Sequence, residues 1–172
     1  MQNVSHNTLI AYFESLGLCS TDVATSFRWN TIEYQNSLRS GVTPTVMLID
    51  SPHVQEEGSS INLMDVHNCA LTFLGKPNVP TARIDAYDNQ NEVLEHCQQI
   101  AFEFRNKLRL DASAPRDAEG NKNWLFGALV INSFNFLKVG PVFTENMYGY
   151  RLEFQLKIKP CACIDTEKWC VE

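Results

Sequence analysis

Tyr148-Gly-Tyr-Arg-Leu-Glu-Phe-Gln-Leu-Lys-Ile158 changes character at every residue. Tyr148, Tyr150, Leu152, Phe154, Leu156 and Ile158 face one way; Gly149, Arg151, Glu153, Gln155 and Lys157 face the other. Side chains alternate sides on an extended chain, so this is a strand with one face in a core and one in water. Upstream, Trp124 to about Leu137 is almost wholly apolar, as in a strand covered on both faces or central in a sheet. Val139-Gly140-Pro141 between them reads as the turn. Each arm of this hairpin spans roughly 14 residues, or about 45 Å, more than strands usually run. A chain of this size folds into a globule only about 30 to 35 Å across. Either a bulge or bend breaks the arms, or the tip projects and needs a neighbour to cover its apolar residues.

Before the hairpin, the spacing predicts a helix over about 89–110. Val93, Cys97, Ile100, Phe104 and Leu108 form one stripe, with Asn89 and Glu92 spaced as a capping box. Arg105, Lys107 and Arg109 fall away from the stripe and read as a solvated face. Such a helix must lie on a sheet. Two further strands are expected, over Thr43–Asp50 and over 61–74, with polar, turn-like sequence between them at 51–60. The chain starts with a helix carrying Leu9, Ile10, Phe13 and Leu16, with Gly17 as its C′ residue. A short second helix is expected from Asn30 to Ser40. The expected fold is α+β, in the order α-α-β-β-α-β-β: an antiparallel or mixed four-stranded sheet flanked by helices. It is one structural domain over 1–172, with a C-terminal tail, 160–172, used in assembly contacts.

The formal charge is −6, which argues against a broad basic surface for nucleic-acid phosphates. No apolar run is long enough to span a membrane, and the first residues lack a secretory pattern, so an intracellular chain is expected. Of six cysteines, three (Cys19, Cys69, Cys97) lie in apolar periodic segments. The others cluster as Cys161-Ala-Cys163 and Cys170. Structural zinc wants four ligands in spaced pairs, and this tail offers three with no nearby His, so neither metal nor cofactor is expected.

No phosphate-cradling glycine loop, nucleophile elbow, zincin motif or calcium loop is present. Asp65, His67 and Cys69 would share one strand face at two-residue spacing, which is how a nucleophile, base and orienter could begin. Proximity in sequence is not triad geometry, and no oxyanion loop accompanies them. A non-enzyme is expected, with a small α+β enzyme or ligand-binding domain around those three residues as the alternative.

Three stretches carry a resemblance. They are Ser26-Phe-Arg-Trp29 with Leu38 through Asp50; Asp65 to Leu74, ending Ala-Leu-Thr-Phe-Leu; and Tyr148 to Phe154 through Pro160-Cys161 to Asp165-Thr-Glu-Lys-Trp169. In order, length and texture the chain resembles the tail-terminator and head–tail connector proteins of tailed bacteriophages. It is similar in particular to those of phages of gut Bacteroidetes, including crAss-like phages. The resemblance implies a virion protein, assembled in the host cytoplasm, that forms a homo-oligomeric ring around the DNA channel. Its partners would be further copies, neighbouring portal, connector or tail proteins, and passing DNA without sequence-specific contact. A baseplate or other tail subunit is the nearest variant. A negative ring repels the duplex it surrounds. Ring closure needs a heterologous interface, for which Val139, Pro141 and Phe143 of the hairpin and Trp169 and Cys170 of the tail are the expected residues.

Overall fold

The computed structural model describes residues 4–28, 45–59, 61–77, 83–117, 120–143 and 146–160, with the side chains of 83–86 left aside. Among the described residues two helices and six strands run in the order α1 (His6–Cys19), β1 (Thr25–Arg28), β2 (Val46–Ile49), β3 (His53–Glu57), β4 (Met64–Gly75), α2 (Arg83–Ser113), β5 (Asn135–Val142) and β6 (Met147–Ile158). A 3-10 turn at Ile131–Ser133 precedes β5. The fold is α+β as expected, but the sheet has six strands rather than four. The expected helix at 30–40 and the tail beyond Pro160 lie outside the described residues.

The sheet order is β1-β2-β4-β6-β5, with β3 also on β4. Among the described strands only β1 and β2 are parallel; every other pair is antiparallel. β4 is its long central strand. Half of β4 pairs with β2 (Ile49 opposite Leu71) and half with β3 (His53 opposite Asn68). Four steps on one side against three on the other mean one extra residue at Asp50-Ser51-Pro52, which is a β-bulge joining β2 and β3.

Both helices lie on one face. Leu9, Ile10 and Phe13 of α1 and Cys97, Ile100, Ala101 and Leu108 of α2 pack against Met47, Ile49, Leu71, Phe73, Leu152, Phe154 and Leu156. Phe13 meets Phe154 edge-on at 5.7 Å and Phe104 meets Phe73 at 4.7 Å. At about 25 cal/mol per Å² of apolar surface, this layer is the main source of stability. Ser5 caps α1 by accepting from Thr8 N. Gly17 lies within α1 instead of ending it. A Cβ there would strike Ser26 Oγ and Met47 Cε, so the glycine lets the helix settle onto β1 and β2.

Three expectations are corrected. Trp124–Leu137 is not one strand. Asn123 Nδ2 donates to the carbonyls of Asp111 and Ala114 while its Oδ1 accepts from Leu125 N, which fixes a turn where a strand is expected. Leu125, Ala128 and Leu129 still enter the core, so the run is apolar without being extended. Val139-Gly-Pro141 is not the hairpin turn but strand, with a register shift between Val139 and Val142. The arms are therefore 8 and 12 residues long. Val139, Val142 and Phe143 pack on Val46, Leu48, Leu74 and Met147 of the chain's own sheet. Last, residues 51–60 contain β3, whose five residues are all exposed.

Candidate functional site

The second sheet face carries no helix among the described residues. One end is the apolar cluster under the hairpin tip. The other is a groove of about 550 Å³, lined by Asp50, His53, Asn68, Asn135, Arg151, Glu153 and Gln155. Alternation along β4 and β6 brings Asn68, Arg151, Glu153 and Gln155 to this side. Arg151 Nη2 meets Asp50 Oδ2 at 2.5 Å and Nε meets Glu153 Oε1 at 2.8 Å. Burial works against the guanidinium charge, but the hydrogen bonds and charges of Asp50 and Glu153 outweigh it and raise the Arg151 pKa. Gln155 Nε2 donates to Asn68 Oδ1 at 2.9 Å. Asp50 Oδ1 is buried with no hydrogen-bond partner among the described residues. With two carboxylates around one guanidinium, the groove can seat a hydrogen-bond donor. Its Ser133 hydroxyl is not poised as a nucleophile: Oγ donates to Val130 O and accepts from Gln155 N.

Asp65, His67 and Cys69 do share one face of β4, but it is the helix-covered one. Cys69 is 3% exposed, and its thiol points at the His67 carbonyl at 3.6 Å instead of the imidazole. Burial pushes the Cys69 thiol up to about 12, which leaves it protonated and unreactive at neutral pH. His67 is 6% exposed, and its Nδ1 has no partner among the described residues. Burial lowers its pKa, with the Asp65 charge pulling the other way. A neutral imidazole beside a protonated thiol is a packed interior, with no nucleophile–base hydrogen bond.

The sheet edge at β5 is the second surface of note. Among the described residues β5 pairs with β6 alone, so its outer backbone groups face solvent. Leu137 (40%) is exposed on this strand, and Phe126 (53%) and Ile131 (62%) are exposed in the segment that leads into it. Along its helix side runs a seam where the sequence pattern predicts a solvated face. Phe102 and Phe136 meet edge-on at 4.9 Å, with the Arg105 guanidinium 5.1 and 5.6 Å from their centroids. Arg109 lies 5.2 Å from the Phe134 centroid. Lys107 differs: it pairs with Asp111, which also accepts from Tyr12 Oη at 2.9 Å. Neither Arg105 nor Arg109 has a carboxylate partner among the described residues. The spacing of Phe102, Arg105 and Arg109, three and four residues apart, is the signal in the sequence that could reveal this seam.

Of the expected interface residues, Val139 and Phe143 are partly buried on the apolar cluster and Pro141 is exposed; Trp169 and Cys170 lie outside the described residues. The same holds for Cys161 and Cys163. Among the described residues no group of three or more His, Cys, Asp or Glu could hold a metal ion. No helix there is long and apolar enough to cross a membrane. Compared with models of known protein families and with curated proteins, the chain matches none.

Proposed function

We propose that the chain is a structural subunit that joins further copies of itself into a ring at the head–tail junction or tail of a tailed bacteriophage. The observation that carries self-association is the β5 edge, where among the described residues a strand paired on one side only, the exposed Leu137 and two guanidiniums without acidic partners coincide. Native proteins usually blunt such an edge or pair it. The phage setting is supported by the resemblance of the three stretches given above. The negative charge suits a ring through which DNA slides. Because Val139, Val142 and Phe143 pack on the chain's own sheet, the proposed contact surface moves from the hairpin to the β5 edge, while Trp169 and Cys170 stay as proposed contacts.

Light scattering coupled to size exclusion, followed by electron microscopy, tests this reading. The expected result is a closed particle whose mass is a multiple of 19.5 kDa. A single-copy species at every concentration overturns it. A second reading, a small binding domain, is favoured by the orphaned Asp50 Oδ1 in the groove. It requires Asp50→Asn to abolish capture of a cationic small molecule while the assembly state stays unchanged.

A further inference from the structure

We infer that the β5 edge of one copy receives residues 161–172 of the next copy as an added strand, with Asp165 and Glu167 seated on Arg109 and Arg105. The inference rests on the ring reading and names the two surfaces that close it. Strand addition joins main-chain groups, and its specificity comes from alternate side chains. Asn135 to Val139 is the usable edge, because Pro141 has no N–H to offer.

Charge and spacing select the occupant. Residues 161–172 hold Asp165, Glu167 and Glu172 against Lys168, an acidic excess facing a basic seam. Asp165 and Glu167, two apart, would share one face of an added strand at about 6.6 Å. Arg105 and Arg109, four apart on α2, are about 6 Å apart along its axis. The same strand would turn Ile164 and Thr166 to the opposite face. That is the face of Leu137, which lies opposite Arg151 of the open side and is 40% exposed.

Asp165 and Glu167 of the same chain cannot reach this seat. Asn135 lies opposite Glu153, so Pro160 stands about 23 Å past the start of β5 at ~3.3 Å per residue. Residues 128–130 already hold the flank of β6 there, through Lys157 N to Ala128 O and Val130 N to Gln155 O. Crossing them and returning would use about ten residues before drawing level with Asn135. Asp165 and Glu167 would be spent on the way. A neighbour's tail has no such constraint.

The test is a charge exchange in the full chain. R105E/R109E and D165R/E167R should each reduce the assembly to single copies of 19.5 kDa, with circular dichroism unchanged. The chain carrying all four changes should assemble again. Assembly of D165R/E167R like the wild type, or a folded four-fold variant that stays single, overturns the inference. Independently, Leu137 is replaced by a photo-reactive benzoylphenylalanine in mixed 14N and 15N chains. The expected crosslink joins it to 161–172 of a different copy. A crosslink within one chain, or to another segment, overturns the inference even if rings form. A wild-type chain that never assembles overturns the ring reading itself.

Discussion

On the covered face of β6, Leu152, Phe154 and Leu156 are sealed from solvent under the helices. One residue along in each case, on the open face, Arg151, Glu153 and Gln155 are half-buried and tied by hydrogen bonds. The backbone is the same, so the difference is one of energy terms. Apolar burial scales with area removed from water and needs no partner geometry. The groove residues gain only the small net worth of ion pairs in partial solvent. Along this part of β6 stability therefore comes mainly from the helix-covered side, which leaves the groove side free to vary in chemistry.

Substitutions across that divide should separate the terms. Phe154→Ala removes a ring that meets both Phe13 and Phe134. It should cost about 3–5 kcal/mol by urea unfolding; a loss under about 1 kcal/mol would mean the covered layer is not the main support. Arg151→Ala, on the opposite side, leaves Asp50 and Glu153 without their shared cation. The expected loss is about 1–2 kcal/mol, held down by the partial exposure of all three groups. Matching the Phe154 effect would break the comparison.

The smallest effect sharpens it through His67, the polar residue that enters the covered face. Burial disfavours its imidazolium, so its folded pKa lies below the ordinary 6.5. The unfolded chain then binds a proton more readily as pH falls. Stability from neutral His67 is present above about pH 6.5 and is lost on acidification through and below that value. The melting temperature of the wild type should fall more between pH 7.5 and 5.5 than that of His67→Leu. Equal slopes would show that the ring charges without penalty in the folded state.

Much of the covered layer is legible in the sequence, because Leu9, Ile10 and Phe13 on α1 and the alternation of β6 repeat at helix and strand periods. The long helix is legible too, although it begins at Arg83, so Asn89 and Glu92 fall inside it instead of capping it. The elements that escape such a reading have no buried stripe to betray them. β1 is four residues at the sheet's edge, none of them fully buried. His53–Glu57 is exposed throughout and forms a strand only because β4 extends past β2 to receive it. Trp124–Leu137 misleads for the opposite reason: burial of Leu125 and Leu129 comes from a turn pinned by Asn123. The groove joins residues from four segments of chain, and the seam depends on β5 lying beside α2. Neither has a local signature.

The extra residue at Asp50-Ser51-Pro52 sets a phase as well as a bend. Ahead of it, even-numbered positions such as Val46 and Leu48 point to the second face, into its apolar cluster; after it, odd-numbered His53, Gln55 and Glu57 point to that face, level with Asn68, Val66 and Met64. Removing one residue from this junction would rotate the outward set to Val54 and Glu56, withdrawing the His53 ring from the groove and the Glu57 carboxylate from Lys157. The chemistry on that flank is thus written in the parity of a three-residue connection, and an insertion or deletion there would re-letter it without altering any side chain.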